Sequence, residues 1–201
     1  MPESRLRIAL IGSRDLEKET GNERYIKLCY NVAYSFARLG ITFTSGLAAL
    51  GMDAIAQKAY SAAVTDGSAR LEQFEVYVAN QNEINKSRLP NKNLSIIMNQ
   101  AKINEIEQIA ASIHPAWHNC NEWARGMHMR NVHQILGYNL DYPVDAVVTW
   151  VKEDAYGNPK GGTVTAIKLA REYGIPVFNL NTPDVQKVLY EIKDWLEVNN
   201  T

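Results

Sequence analysis

Three glycine-bearing segments contain the residue types best suited to binding an anion. They cover residues 8–14, 42–53 and 160–166, and in each one small residues lie where a predicted strand runs into a predicted helix. In an α/β sheet, such turns expose backbone N–H groups and helix N-termini at the carboxyl edge, where phosphate groups bind. Three of them at one edge would form a pocket for a nucleotide or a nucleotide-derived ligand.

The first turn combines a glycine, a serine and an arginine. Gly12 and Ser13 allow the backbone to approach a phosphate or a ribose closely, and Arg14 can pair with the anion as a planar fork. In the alternative interpretation, Gly12 only turns the chain and the Arg14 side chain is solvated. We favour anion binding, because this arginine follows a glycine turn at the carboxyl edge of the sheet.

The second loop supplies small residues and a carboxylate. Ser45, Gly46, Leu47 and Gly51 are expected to bind the ligand, and Asp53 lies at the start of the helix that follows. Asp53 is either a ligand for ribose hydroxyls or a negative charge favoured by the helix dipole. The residue types leave both roles open.

The third turn opens a helix with two adjacent glycines. Gly161 and Gly162 precede Thr163, and the first N–H groups of a helix have no partner inside it, so a phosphate group can bind there. The hydroxyls of Thr163 and Thr165 add further polar groups. The alternative is an ordinary capped helix, but the glycine pair and the preceding lysine favour an anion site.

A sheet must hold these turns, and the hydrophobic pattern predicts one. Strands are predicted at residues 6–11, 41–44, 74–78, 144–151 and 175–180, and helices at 22–39, 52–63, 99–114, 123–136, 163–173 and 185–198. The β-α-β-α-β order predicts a doubly wound, mostly parallel α/β sheet with helices on both faces. We expect a single domain over residues 1–201, with a surface loop at 80–92 inside an irregular helical excursion at about 79–119.

Composition disfavours several classes of protein. A net charge of -1 over 201 residues argues against a dedicated duplex-DNA-binding protein. The two cysteines, Cys29 and Cys120, lack the spacing of a metal site, which indicates a reducing, intracellular compartment. No stretch resembles a signal peptide or approaches the roughly 20 apolar residues that span a bilayer, so we expect a soluble, cytoplasmic protein without a membrane partner.

Several motifs occur in the order found in the SLOG superfamily. They are Gly12 to Arg14, Ser45 to Ala48 with 51–56, Arg130 and Asn131 ahead of 134–137, and 162–170 before 174–178. Outside the middle excursion, residues 7–180 resemble DprA, the DNA-processing protein of natural transformation; the superfamily also contains LOG-type phosphoribohydrolases. The resemblance implies a Rossmann-like nucleotide-binding fold and a homodimer or larger homo-oligomer. It also admits single-stranded nucleic acid as a partner.

The same resemblance assigns a role to Arg130 and Asn131. In DprA-like proteins the matching pair lies in the binding groove, where an arginine suits a phosphate and an asparagine suits a base edge or a loop backbone. The alternative is a solvated helix surface. We expect the binding role.

At one position the sequence differs from that of the LOG-type enzymes in a way that concerns enzymatic activity. LOG-type enzymes carry a catalytic glutamate after a Pro-Gly-Gly motif, and alignment on Gly161 and Gly162 places Lys168 at its position. Asp53 is the candidate substitute carboxylate for cleavage of an N-glycosidic bond. Three functions therefore stay open: a nucleotide-binding sensor or sequestering protein, which we favour, a nucleotide N-glycosidase, and a DprA-like protein that binds single-stranded DNA.

The remaining chemistry-bearing residues are aromatic residues and histidines. Trp150 and Tyr156 are the best candidates to stack on a base, although core or interface packing is the commoner role of such rings. His114 and His118 have the spacing of two metal ligands on a helix, but Pro115 lies between them. We expect no metal site and no cofactor.

Overall fold

The fold is built on one parallel β-sheet. In the computed structural model, which describes residues 6–18 and 21–199, six strands form this sheet. The strands are β1 (Arg7–Gly12), β2 (Thr42–Ser45), β3 (Phe74–Val78), β4 (Ser95–Ile97), β5 (Ala146–Trp150) and β6 (Val177–Asn179). Their order across the sheet is β4-β3-β2-β1-β5-β6, and every pairing is parallel.

Helices connect the strands and cover both faces of the sheet. Among the described residues the α-helices are α1 (Asp15–Lys18), α2 (Glu23–Arg38), α3 (Met52–Thr65), α4 (Gln81–Lys86), α5 (Ile103–Ile113), α6 (Glu122–Leu136), α7 (Val164–Glu172) and α8 (Val185–Asn199). Helices α2, α3 and α8 pack on one face, and α5, α6 and α7 on the other. The predicted doubly wound α/β architecture is confirmed. None of these helices is both long enough and apolar enough to cross a membrane.

The central strands are buried on both faces. Along β1, Ile8 and Leu10 belong to the core under α2 and α3, whereas Ala9 and Ile11 belong to the core under α5, α6 and α7. This alternation follows from the two-residue period of a strand. Because both faces are covered, the strand has a continuous apolar sequence, which is why it could be recognised as a buried parallel strand.

The structure differs most from the sequence-based prediction in residues 79–119. The helix predicted at 99–114 is confirmed as α5, but the predicted surface loop at 80–92 contains the short helix α4, and the sequence pattern gives no sign of β4. β4 pairs with β3 at the edge of the sheet and has only three residues. Such a short strand, flanked by asparagines, shows no usable periodicity.

The strand order reverses between β1 and β5. From β1 the chain continues to β2, β3 and β4 on one side of the sheet, and from β5 it continues to β6 on the other. The loops that leave the carboxyl ends of these two neighbouring strands therefore diverge and leave a crevice between them. In open α/β sheets, ligands bind at this position.

Candidate functional site

The three predicted turns meet at this crevice and line one cavity of about 450 Å³. Its volume suits a small-molecule ligand. The lining residues are Ile11, Gly12, Ser13, Arg14, Asp15, Lys18, Leu47, Ala48, Asp53, Glu83, Trp123, Ala124, Met127, His128, Arg130, Asn131, Gln134, Gly161, Gly162 and Thr163. Of the residues predicted to bind the ligand's phosphate and ribose, four are absent from this lining, namely Ser45, Gly46, Gly51 and Thr165, and each lies against a residue that belongs to it.

In the first turn, Gly12 is required by packing. A Cβ atom at Gly12 would lie 2.6 Å from Met52 Cγ and 2.7 Å from the Trp150 carbonyl oxygen, so no larger residue fits between β5 and α3. The Ser13 N–H donates to the Trp150 carbonyl at 2.9 Å, and the Ser13 hydroxyl accepts from the Asp15 N–H at 3.1 Å. The turn thereby directs the exposed Arg14 side chain to the cavity wall.

In the second loop, two glycines make room for charged groups and backbone. A Cβ atom at Gly46 would overlap Asp53 Oδ2 and lie 2.7 Å from Arg130 Cζ. Gly51 has a φ of 79°, in the left-handed region that favours glycine, and a Cβ atom there would overlap the Ser13 carbonyl oxygen. The second loop therefore contacts both the first turn and α6.

Two carboxylates flank one arginine in the cavity wall. Arg130 on α6 lies between Asp53, at the start of α3, and Glu83 on α4; Nη2 is 3.7 Å from Asp53 Oδ2, and Nη1 is 3.8 Å from Glu83 Oε2. Asp53 is 4% exposed and Arg130 is 9% exposed. These separations are those of ion pairs without a direct hydrogen bond, so the guanidinium N–H groups keep some capacity to bind a ligand.

Burial changes the proton affinity of both carboxyl groups. Desolvation raises the pKa of Asp53, and this outweighs the opposing effects of Arg130 and of the Ala48 N–H, which donates to Oδ2 at 3.1 Å. Desolvation likewise raises the pKa of Glu83, against the effects of Arg130 and of the Ala79 N–H, which donates to Oε1 at 2.9 Å. A raised pKa in a cavity is typical of groups that exchange protons or bind polar ligands.

Asn131 connects α6 to the third turn. Its side-chain amide donates to the Gly162 carbonyl at 2.7 Å, so it binds loop backbone. Gly161 has a φ of 86°, whereas Gly162 has no left-handed φ, and a Cβ atom added there would have no neighbour within 4 Å. The backbone conformation therefore favours glycine at position 161, whereas neither conformation nor packing favours it at position 162.

Thr165 faces a histidine. Its hydroxyl lies 2.9 Å from His128 Nδ1, and both residues are buried. Burial lowers the pKa of His128 to about 4, assisted by the nearby His114 and Arg130, so the ring is neutral at pH 7. Thr163 lines the cavity at the start of α7, and its side chain makes no capping hydrogen bond.

Two donors in the cavity-lining residues have no partner among the described residues. Both Arg130 Nε and Gln134 Nε2 are buried without a hydrogen bond. Gln134 is on α6, one turn after Arg130, and it was not among the predicted site residues. Most buried polar groups in proteins are satisfied, so unpaired donors at a cavity need an explanation.

The aromatic residue at the cavity is not one of the two predicted to stack. Trp150 is 1% exposed and packs near Tyr25, with ring centroids 6.2 Å apart, because its position on β5 points toward α2. Tyr156 is 91% exposed and lies outside the cavity lining. Trp123, which is 61% exposed, lines the cavity instead.

Sequence reasoning also missed Glu83, although a signal was present. Asn80 and Glu83 have the spacing of a helix N-cap and its third residue, and the Asn80 side chain accepts from the Asn82 N–H at 3.0 Å. That pattern predicts a helix start in the segment assigned to a loop. Lys168, which the sequence comparison with LOG-type enzymes aligned with their glutamate, is on α7 outside the cavity lining. The carboxyl groups of the lining are those of Asp15, Asp53 and Glu83, and Asp53 and Glu83 are the two that flank Arg130.

The cavity at the sheet reversal is thus lined by three turns, an exposed indole, and a buried arginine between two carboxyl groups. Two of its lining residues, Arg130 and Gln134, each have a buried donor without a partner among the described residues. Comparison of the chain with protein-family models, curated proteins and solved structures found no match in any of the three.

Proposed function

We propose that the protein binds a nucleotide or a nucleotide-derived small molecule in this cavity, as a sensor or a sequestering protein. The observation that carries the proposal is the pair of unpaired buried donors, Arg130 Nε and Gln134 Nε2, in residues of the cavity wall. An unsatisfied buried donor costs about 1–3 kcal/mol. After a small shift of the two side chains toward the cavity, a ligand rich in acceptors, such as a phosphorylated nucleoside, would satisfy both donors.

The third turn supports the same proposal. The space around the Gly162 Cβ position is open, so the protein's own packing does not require a glycine there. Gly162 lies just before α7, whose first N–H groups favour an anion. A phosphate group in contact with the backbone at this turn would explain the missing side chain.

The charges of the wall suit a ligand with two kinds of group. Arg14 and Lys18 line the cavity with exposed cationic side chains, which favour phosphate. Asp53 and Glu83 present carboxyl groups, which accept hydrogen bonds from ribose hydroxyls or from base amino groups. A nucleotide carries both phosphate and such donors.

The first test is mass spectrometry of small molecules released by heat from the freshly purified protein, followed by calorimetric rebinding of any species found. If none is released, nucleoside monophosphates and cyclic dinucleotides are titrated. We expect Gly162→Ala to weaken binding at least tenfold and to leave the melting temperature nearly unchanged.

Gly126→Ala is the matched control, because Gly126 is on α6 outside the cavity lining and its Cβ would be 3.5 Å from the Ala79 Cβ, an ordinary contact. It should bind the ligand normally. Saturable binding that is equal in wild type and Gly162→Ala would contradict the proposed phosphate position, and the absence of binding to any nucleotide would contradict the function.

A second candidate function is hydrolysis of a nucleotide N-glycosidic bond, and the pair of carboxyl groups favours it. The pKa values of both carboxyl groups are raised; Glu83 would protonate the leaving base, and Asp53, once ionised above its raised pKa, would stabilise the developing positive charge on the ribose. Water then adds to the sugar, so the products are a free base and a ribose phosphate.

Chromatography separates this candidate from simple binding. The wild-type protein would release free base from a nucleoside monophosphate, and Asp53→Asn or Glu83→Gln would reduce the rate at least 100-fold while calorimetry still detects binding. Recovery of the intact nucleotide after prolonged incubation would rule out the reaction and leave the binding function in place.

Binding of single-stranded DNA is less well supported. The expectation of DNA binding rests on Arg130 as a contact to the phosphate backbone. In the structure Arg130 is buried beside two carboxylates. Affinity for an oligonucleotide that falls steeply with salt would restore this function. A homodimer or larger homo-oligomer also remains part of the proposal, and sedimentation velocity would measure it.

A further inference from the structure

Three side chains with metal-binding atoms meet between the C-terminal end of α5, the turn that follows it and the first half of α6. His114 directly follows α5, Cys120 comes two residues before α6, and His128 is on α6. One metal-binding atom from each lies within 4.8 Å of the other two. The two imidazole rings are 4.1 Å apart between centroids.

The turn between the two helices brings Cys120 to His114. The Ala116 N–H donates to His114 Nδ1 at 3.3 Å, and the Cys120 thiol contacts the Ala116 carbonyl at 3.6 Å. A metal ion bound at Nδ1 would replace the Ala116 N–H as the partner of the single lone pair on this nitrogen. Cys120 Sγ and His114 Nδ1 are thereby held 3.7 Å apart. With a Zn–S bond of about 2.3 Å and a Zn–N bond of about 2.0 Å, a tetrahedral site requires a separation of about 3.5 Å between sulfur and nitrogen.

The third ligand is oriented by a hydrogen bond. His128 Nδ1 lies 2.9 Å from the Thr165 hydroxyl, and donation from Nδ1–H to this oxygen leaves the lone pair on Nε2. Metal-bound histidines usually donate their other ring N–H in this way. His118, which sequence spacing paired with His114, is exposed and outside the cluster.

We propose that His114, Cys120 and His128 form a binding site for a divalent transition metal of the zinc class. One thiolate and two imidazoles are soft and borderline ligands, which suit Zn²⁺ and disfavour Mg²⁺ and Ca²⁺. On binding, the Cys120 thiol releases its proton to solvent and the thiolate sulfur bonds to the metal, with no change of oxidation state. The fourth tetrahedral position is left for water or a ligand atom.

The site connects to the cavity through one side chain. His128 also lines the cavity, and it precedes Arg130 by two residues on α6. A metal ion here would link the end of α5, the turn at 114–120 and the helix that carries Arg130, Asn131 and Gln134. Metal binding is therefore expected to raise the melting temperature of the whole chain.

The test uses the full chain, reduced with a phosphine, treated with a chelator and then dialysed. Titration with Co²⁺ is expected to give one equivalent of saturable binding with a thiolate-to-cobalt charge-transfer band in the near ultraviolet, and Zn²⁺ should displace the cobalt. Calorimetry with Zn²⁺ in buffers of different ionisation enthalpy should report the proton released by the thiol.

Matched variants identify the ligands. Cys120→Ser should abolish the charge-transfer band, and Thr165→Val should lower the affinity by about 10- to 100-fold with the band retained. Cys29→Ala and His118→Ala remove the other cysteine and a neighbouring histidine outside the cluster, so both should bind normally. Circular dichroism compares the fold of each variant with that of the wild type.

Two results would overturn the proposal. One is the absence of saturable Co²⁺ and Zn²⁺ binding by the wild-type chain, a measurement that does not depend on the folding of any variant. The other is a charge-transfer band of equal intensity in wild type and Cys120→Ser, which would assign the metal to a different residue.

Discussion

At the scale of single residues, a substitution of Gln134 distinguishes an effect on ligand affinity most clearly from an effect on stability. Its Nε2 atom is buried in the cavity wall without a partner, and Met has a similar length and no polar hydrogen. Removing an unsatisfied buried donor is neutral or favourable for folding. We therefore expect Gln134→Met to keep or raise the free energy of unfolding and to lower ligand affinity, as measured by urea denaturation and calorimetry.

If Gln134→Met instead loses several kcal/mol of stability, the amide has an unidentified structural partner. A suitable comparison is Gln57→Met. The Gln57 side chain is also buried, but it donates to the Gly46 carbonyl at 3.3 Å and accepts from the Asn91 N–H at 3.2 Å. This variant should lose about 1–3 kcal/mol, because it leaves both backbone partners unsatisfied.

The raised pKa of Asp53 predicts how stability depends on pH. Between the usual carboxyl pKa of about 4 and the raised pKa of Asp53 in the folded protein, the unfolded chain has lost the Asp53 proton while the folded protein still holds it. The unfolded state then binds fewer protons, so the stability contributed by this group falls as the pH rises through the folded-state pKa.

Asp53→Asn removes that pH-dependent loss. The difference in unfolding free energy between variant and wild type should therefore shift in favour of the variant as the pH is raised from about 4 toward 7. Denaturation curves at several pH values measure this shift. A shift in the opposite direction would mean that Arg130 outweighs desolvation and holds the carboxyl ionised. Ligand affinity of the variant should fall in either case.

At the scale of secondary structure, α6 positions more of the cavity than any other helix. Its N-cap is Asn121, whose side-chain oxygen accepts from the Ala124 N–H at 2.9 Å. We expect Asn121→Ala to cost about 1 kcal/mol of unfolding free energy. Asn121→Ser, which keeps a capping oxygen, should cost much less; equal losses would assign the effect to something other than the cap.

Element prediction succeeded where burial and length gave a clear pattern. β3 was predicted with the bounds that the structure shows, and α6 within one residue, because long or fully buried elements carry many apolar positions. β4 and α4 are short and have polar flanking residues, so their sequences show no recognisable hydrophobic pattern. The Asn80 and Glu83 pair was the available sign of α4.

Individual site residues were harder to predict than the elements that hold them. The three turns could be placed because parallel strands share a carboxyl edge. Glu83 and Gln134 could not be placed at the cavity from the sequence, because their positions there depend on how α4 and α6 pack on the sheet. The burial of Trp150 depended in turn on which face of β5 it occupies.

At the scale of the whole molecule, one end of the sheet borders the cavity, whereas the other end contains contacts that stabilise the fold. Arg7 begins β1, at the end opposite the cavity, and bonds Glu75 of β3 at 2.6 Å and the Tyr142 carbonyl. Its guanidinium also lies 4.3 Å from the centre of the Tyr142 ring. This arginine therefore connects two strands with the segment that leads into β5.

We expect Arg7→Met to lower the free energy of unfolding by about 1–3 kcal/mol without changing ligand affinity. Arg7 is buried while Glu75 remains partly exposed, so the loss should be smaller than for a fully buried ion pair. Lys193→Met breaks an exposed pair with Glu197 and should have little effect. Equal ligand affinity in all three proteins would confirm that the two ends act independently.

The position of Trp123 has a practical consequence for spectroscopy. Trp150 lies in the core, whereas the indole of Trp123 is largely exposed and borders the cavity. A ligand that covers this ring would change its contact with water, and therefore its fluorescence intensity and emission wavelength. Trp123 fluorescence can therefore report ligand binding without an added label. A fluorescence change during titration that is seen in wild type and lost in Trp123→Phe comes from a ligand at the mouth of the cavity.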